Sequence, residues 1–146
     1  MYNHILIATD GSEYSEQAVV AGVELAKALG SKVSVVTAVH SKAPLVVEGQ
    51  IIGPDLHERR EGAKSKANGI LESAVNVAAK IGMQVETECV LDETPYNAII
   101  ETASSKGCDL IVMASHGRSG LSALLLGSET QKVLTHSIIP VLVHRC

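Results

Sequence analysis

The residues best suited to chemistry lie in a glycine-spaced loop, ASHGRSGLSALLLGSETQ, at residues 114–131. Its glycines are Gly117, Gly120 and Gly127. Glycine lets a backbone approach a ligand closely and adopt positive φ. Ser128 and Gln131 match the S-x-x-Q capping box, which predicts that a helix starts here. Because a helix amino terminus favours anions, the loop predicts a phosphate site. The competing interpretation is a connector in which Ser128 merely caps the helix.

Two common nucleotide motifs do not describe this loop. No G-K-[ST] sequence occurs, and no lysine lies between Lys106 and Lys132, which excludes a Walker loop. The glycines also follow the fourth predicted strand, whereas the Rossmann fingerprint follows the first.

The formal net charge of −4 leaves no basic footprint for nucleic acid or for an anionic membrane.

Five strands alternate with four helices along the chain. Hydrophobic patterning predicts strands at residues 4–9, 32–39, 83–91, 108–115 and 140–145. Capping residues and helical periodicity predict helices at residues 13–30, 56–81, 94–107 and 128–136. Residues 40–56 are predicted to be a long loop, and no hairpin is predicted.

This order predicts an α/β fold, with one doubly wound parallel sheet and helices on both faces. The third strand alternates apolar with polar residues, which is typical of a sheet edge, whereas the fourth is apolar on both faces. The predicted strand order is therefore 3-2-1-4-5. Ligands bind such sheets where the winding reverses, between the first and fourth strands. The glycine loop starts at that point, as does Asp10. Asp10 itself fits either a ligand role or a cap for the turn at Gly11.

The chain length of 146 residues predicts a single domain, residues 1–146. The opening MYNHILIATD shows no export signal, and no apolar run approaches the roughly 20 residues that span a bilayer. The cysteines, Cys89, Cys108 and Cys146, are odd in number and lack metal-ligand spacing. We therefore expect a cytoplasmic protein.

Three segments resemble the universal stress protein family: ILIATDGSEYS, DLIVMASHGRSGLSALLLGS and VLTHSIIPVLV. Nucleotide-binding members carry G-x-x-G, nine residues and then G-[ST]. Here Gly117, residues 118–126 and Gly127-Ser128 follow that pattern, while Ala114 replaces the first glycine. The strand-one proline of many members is Ala8 in this chain, and their acidic residue is Asp10.

The resemblance implies a Rossmann-like domain that binds ATP, with or without Mg²⁺ or Mn²⁺, across the switch point. Thr9 and Asp10 would face the adenosine, and Ala38 would meet adenine through its backbone. The implied nucleotide-binding residues are Ala8, Thr9, Asp10, Ala38, Met113, Ala114, Gly117, Arg118, Gly127, Ser128 and Glu129. Arg118 fits a phosphate contact and a solvated loop charge equally well, and His116 is expected to be structural or exposed.

We expect a regulatory module with at most slow hydrolysis, because Asp10 and Arg118 are the only groups suited to phosphoryl transfer. A non-nucleotide-binding dimeric interaction module of the same fold is the alternative, and Ala114 is its main support. A response-regulator receiver would need further acidic residues around its site. The last strand is apolar on both faces and forms a predicted edge, so residues 140–145 are expected to form a homodimer interface.

Overall fold

The computed structural model describes residues 1–40, 45–117 and 125–145. Its strands are β1 (His4–Ala8), β2 (Lys32–Val39), β3 (Leu45–Val47), β4 (Gln50–Ile52), β5 (Glu86–Leu91), β6 (Leu110–Ala114) and β7 (Val141–His144). Its helices are α1 (Glu13–Leu29), α2 (Leu56–Ile81), α3 (Pro95–Ser105) and α4 (Ser128–His136). Within the described ranges, no helix is both long and apolar enough to cross a membrane.

Five strands form one parallel sheet in the order β5-β2-β1-β6-β7. Apart from β3 and β4, which lie outside this sheet, the order is the predicted 3-2-1-4-5. The alternating strand β5 lies at one edge and β7 at the other, and the winding reverses between β1 and β6. The predicted fold class and strand order are therefore confirmed.

The core has two layers, one on each face of the sheet. Ile5 and Ile7 of β1 pack into the cluster formed with α1 and α2, whereas Leu6 packs into the cluster formed with α3 and α4. All three side chains are fully buried. Because successive strand residues point to opposite faces, a strand buried on both faces is expected to be apolar at nearly every position.

Helix α1 packs closely on the sheet at Gly22. A Cβ atom placed there would lie 2.7 Å from Ile7 Cδ1 and 3.3 Å from Val112 Cγ1. Ile7 belongs to β1 and Val112 to β6, so one helical glycine contacts both strands that flank the switch point. The absence of a side chain at residue 22 therefore fixes the depth at which α1 packs.

Residues 45–52 form a hairpin, and the expectation of a loop without a hairpin is wrong there. Strands β3 and β4 pair antiparallel, with Val47 opposite Gln50. Glu48 and Gly49 form the turn with φ values of 51° and 77°, and positive φ at both positions characterises a type I′ turn. The apolar residues before Glu48-Gly49 and the two isoleucines at 51 and 52 were the available signal, but glutamate is an uncommon residue at the first turn position. Residues 41–44 lie outside the described residues.

The described cysteines behave as apolar residues. Cys108 is buried just before β6, and burial raises the pKa of its thiol to about 11. Cys89 is half-buried in β5, and burial raises its pKa as well. A thiol with a raised pKa is largely protonated and unreactive at neutral pH. Cys146 lies outside the described residues.

Candidate functional site

A cavity of about 740 Å³ opens at the carboxyl end of the sheet, across the reversal between β1 and β6. This volume falls within the range of small-molecule sites. Ten of the eleven predicted site residues line it: Ala8, Thr9, Asp10, Ala38, Met113, Ala114, Gly117, Gly127, Ser128 and Glu129. Arg118 lies outside the described residues, as do the loop serines at 119 and 122. The structure thus brings these ten residues together, and their part in binding a ligand stays a prediction.

The turn after β1 is held by short polar contacts. Asp10 Oδ1 accepts a hydrogen bond from the Ser12 amide (2.9 Å), and Ser12 caps α1 by accepting from the Ser15 amide (3.2 Å). Thr9 Oγ1 lies 3.0 Å from Ser15 Oγ. Asp10 therefore caps this turn, as one of its two interpretations predicted. The same residue also lines the cavity, so capping does not exclude a ligand role.

Gly117 and Gly127 both pack closely against neighbouring residues of the site. A Cβ atom on Gly117 would lie 2.5 Å from Asp10 Oδ2, and one on Gly127 would lie 3.2 Å from the Ser115 carbonyl oxygen. Neither glycine adopts positive φ, so that part of the prediction is wrong for both of them. Gly120 lies outside the described residues. Ala114 also has no positive φ, so alanine fits its backbone conformation without strain.

Strand β2 presents an unpaired backbone edge to the cavity at Ala38. The β1–β2 pairing ends at Ala8 opposite Val36, while β2 continues to Val39. The Val36 carbonyl accepts from the Thr9 amide on the β1 side, and the Val39 carbonyl accepts from the Asp92 amide on the β5 side. Because backbone groups alternate between the two edges of a strand, the N–H and C=O of Ala38 point toward the β1 side, where β1 has ended. One donor and one acceptor thus face the cavity side by side.

The amino terminus of α4 closes the opposite end of the cavity. The N-cap is Gly127, and no side chain caps the helix. The predicted capping box is therefore wrong: Ser128 is the first helical residue, and Gln131 Nε2 donates to the Leu126 carbonyl (2.8 Å). The helix docks on the end of β6, because Thr130 Oγ1 donates to the Ala114 carbonyl (2.9 Å). The amides of the first helical turn have no acceptor within their own helix, which suits an anion.

His116 is a structural residue of the cavity wall. It is 8% exposed, its Nδ1 lies 2.8 Å from Ser115 Oγ, and its ring centroid lies 5.9 Å from that of Tyr14. Of the two expectations for His116, structural or exposed, the burial agrees with the first. Across residues 1–40, 45–117 and 125–145, no three acidic, histidine or cysteine side chains cluster as metal ligands would.

Sequence reasoning missed the wall that α2 supplies. Ala63, Lys66 and Ile70 line the cavity from this helix, and Thr37 lines it from β2. The spacing of three and four residues places the α2 residues on one helical face. That spacing is visible in the sequence, but the periodicity of α2 predicts only which face of the helix is buried against the sheet. It does not predict that one end of the face borders an open volume.

A doubly wound parallel sheet with a cavity at its switch point defines this chain as a Rossmann-like α/β protein. A sequence profile described as "Universal stress protein family" matches residues 1–145. The chain is 38% identical over 151 aligned residues to "Universal stress protein YxiE" of Bacillus subtilis, covering 99% of this chain and 100% of that relative. The chain belongs to the universal stress protein family.

Solved structures agree with this assignment. A universal stress protein crystallised in complex with cAMP has a TM-score of 0.73 and 27% identity, with 99% of each chain covered. The universal stress protein UspA from Lactobacillus plantarum has a TM-score of 0.83 at 23% identity, covering 99% of this chain and 98% of that one. The second likeness concerns the fold alone.

Proposed function

We propose that this chain is an ATP-binding universal stress protein, a single-domain regulatory module of the cytoplasm that binds ATP or a related adenine nucleotide. The observation that carries the proposal is the pairing of two features across one cavity. The Ala38 backbone offers a donor beside an acceptor at one side, and the α4 amino terminus offers amides at the other. The related protein that binds cAMP supports an adenine nucleotide as the ligand class.

Each part of an adenine nucleotide has a matching surface in this cavity. Adenine carries an amine donor beside a ring acceptor, which complements the N–H and C=O of Ala38. The ribose would lie near Thr9, Asp10 and Gly117, with Ala8, Met113 and Ala114 forming the adjoining wall. The phosphates would reach Gly127, Ser128 and Glu129 at the start of α4, where backbone amides favour negative charge.

Hydrolysis in this proposal is slow at most. Phosphoryl transfer needs a positioned water, metal-binding carboxylates and cationic stabilisation. Among the described cavity residues the carboxylates are Asp10, Glu93 and Glu129, and Glu129 is hydrogen-bonded to the Tyr96 amide. A bound Mg²⁺ or Mn²⁺ would neutralise phosphate charge and would be held chiefly by the phosphates themselves. The site is therefore suited to sensing a nucleotide.

Replacing Gly117 by alanine tests the nucleotide proposal. The added Cβ would meet the Asp10 carboxylate at 2.5 Å, so the Asp10 side chain beside the proposed ribose position must shift. We expect ATP affinity, measured by isothermal titration calorimetry, to fall by on the order of tenfold or more, about 1.4 kcal/mol per tenfold step. Gly69→Ala is the matched control, because a Cβ at residue 69 meets no atom within 4 Å. If the unaltered protein fails to bind ATP at millimolar concentration, the alternative of a dimeric interaction module without nucleotide takes its place.

We also propose that residues 140–145 form a homodimer interface. Among the described strands, β7 pairs only with β6, and Leu142 in β7 is 39% exposed. An edge strand with apolar side chains and open backbone groups invites pairing with another strand. A twofold axis would pair two copies of β7 antiparallel.

Leu142→Lys tests that interface. A lysine in each copy of β7 would bring two like charges into the interface, so the dimer should weaken or dissociate. Multi-angle light scattering across a concentration series measures this change. The matched control is Leu134→Lys on α4, where the side chain is 42% exposed and lies outside the edge strand. A monomeric unaltered protein, or a Leu142→Lys dimer of undiminished strength, rejects the interface.

A further inference from the structure

Two helix amino termini border the same cavity. Within the part of the chain that the structure describes, only one of them has backbone amides available to an external anion. Glu93 and Pro95 line the cavity at the start of α3, and Gly127 and Ser128 line it at the start of α4. Both termini carry the partial positive charge of a helix dipole. On dipole grounds alone, a ligand phosphate would be attracted to either.

The amino terminus of α3 is already satisfied. Pro95 has no N–H, and the amides of Asn97 and Ala98 donate to the Thr94 carbonyl at 3.1 and 3.2 Å. The remaining amide, that of Tyr96, donates to Glu129 Oε2 at 2.9 Å. A carboxylate of this chain thus occupies the place at α3 where an external anion would bind.

The amino terminus of α4 is arranged differently. The Gly127 amide donates to the Ser115 carbonyl (2.7 Å) and the Gln131 amide donates to the Gly127 carbonyl (3.0 Å). Between them, the amides of residues 128–130 donate to no acceptor in the part of the chain that the structure describes. Ser128, Glu129 and Thr130 all line the cavity.

The Glu129 side chain joins the two helices. Its carboxylate bonds to the first turn of α3, its backbone belongs to the first turn of α4, and its Oε1 lies 3.3 Å from Lys132 Nζ. Lys132 Nζ in turn lies 5.6 Å from the centroid of the Tyr96 ring. Hydrogen bonds from backbone N–H groups to a carboxylate are among the stronger polar contacts in proteins. Movement of α4 relative to α3 must therefore break a charge-assisted contact.

We infer that Glu129 is a positioning residue whose carboxylate acts as an internal anion. It closes the α3 terminus and braces the first turn of α4, so that the phosphates of a bound nucleotide are directed to the amides of α4. This inference rests on the proposed nucleotide binding and assigns to the Glu129 side chain a role separate from that of its backbone amide. If this inference is right, the site prefers ligands that carry phosphate at one end, and each added phosphate increases the affinity.

The test compares adenosine, AMP, ADP and ATP binding by calorimetry for the unaltered protein and its Glu129→Gln and Glu129→Ala variants. In the unaltered protein, affinity should rise from adenosine to ATP. In Glu129→Ala that rise should shrink by about tenfold, comparable to the loss of one charge-assisted hydrogen bond, while adenosine affinity stays the same. Glu129→Gln keeps an oxygen acceptor for the Tyr96 amide, so it should give an intermediate value.

Glu101→Gln is the matched control, because Glu101 is an exposed α3 residue that accepts from Asn97 Nδ2 (3.1 Å). It removes the same charge without altering the α3–α4 contact, and its affinities should match those of the unaltered protein. Thermal unfolding establishes that every variant is folded. Equal losses for adenosine and ATP, an unchanged rise in both variants, or tighter ATP binding would each overturn the inference while leaving nucleotide binding intact. Failure of the unaltered protein to bind ATP would overturn the proposed function itself.

Discussion

The two ends of the central sheet differ in whether their polar groups have hydrogen-bond partners. At the amino end, the Asp109 carboxylate accepts from the amides of Asn3 (2.9 and 3.1 Å) and His4 (3.0 Å). His4 Nε2 lies 2.9 Å from Ser34 Oγ, and Lys32 forms a 2.8 Å salt bridge with Glu86. The polar groups named here have partners within the chain.

The carboxyl end leaves comparable groups without such partners. Thr37 Oγ1 is buried and has no hydrogen-bond partner among the described residues, and the Ala38 backbone edge lies beyond the end of β1. A buried polar group without a partner costs stability. The difference teaches that this fold gains stability at the amino end of its strands and gives some up at the carboxyl end, where a ligand can supply the missing contacts.

The largest expected effect comes from removing Asp109. Asp109→Ala leaves the amides of Asn3 and His4 without their carboxylate, so the free energy of unfolding should fall by about 1–2 kcal/mol. Chemical denaturation measures the change. Asp92→Ala is the matched control near the carboxyl end, where Asp92 accepts from a single amide, that of Thr94 (2.8 Å). A larger loss for Asp92→Ala than for Asp109→Ala would break the comparison.

The same carboxylate gives the comparison a pH dependence. The amides of Asn3 and then His4 hold the pKa of Asp109 below its ordinary value of 3.8. A folded-state pKa below the unfolded one means that the contribution is fully present above the unfolded pKa and is lost as pH falls through the folded pKa. The stability difference between the unaltered protein and Asp109→Ala should therefore shrink under acid conditions. A difference that stays constant across that range would contradict the assignment.

A smaller effect of opposite sign is expected at the carboxyl end. Thr37→Val replaces an unpaired hydroxyl by a methyl group of similar size, so the ligand-free protein should gain about 1 kcal/mol of unfolding free energy. Thr102→Val is the matched control, because the buried Thr102 hydroxyl donates to the Ala98 carbonyl (2.7 Å) and its removal should destabilise. Differential scanning calorimetry separates the two signs. Destabilisation by both substitutions would show that the carboxyl end has no special tolerance for unpaired groups.

The sequence contained enough to predict the sheet and much of the cavity wall. The alternation around Glu86 and Glu88 marks β5 as an edge, and an apolar run without alternation marks β6 as central. Once the order follows, the carboxyl ends of β1 and β6 must meet, which places Asp10 near Gly117. Backbone topology determines these positions, and topology is encoded in periodicity.

Features that depend on side-chain direction were harder to predict. The sequence predicted a capping box starting at Ser128, yet Gly127 is the N-cap. The S-x-x-Q pattern shows only that these side chains are able to cap a helix, whereas the hydrogen bond from Thr130 to the Ala114 carbonyl sets where α4 begins. The Glu129 carboxylate could equally have faced the cavity or α3, and only the packing of α3 against α4 decides between them. Such choices depend on contacts between elements distant in sequence.

The close packing at Gly22 has a consequence for the mouth of the cavity. Because Gly22 has no side chain, α1 can pack directly against Ile7 of β1 and Val112 of β6. The distance between α1 and these two strands therefore depends on a single residue. The first turn of α1 is tied to the end of β1 through Thr9 and Ser15. A side chain at residue 22 would press on the side chains of Ile7 and Val112. If those side chains could not rotate away, α1 would move off the sheet and carry the Asp10 turn with it. A change at residue 22 could therefore alter the opening from a position that does not line the cavity.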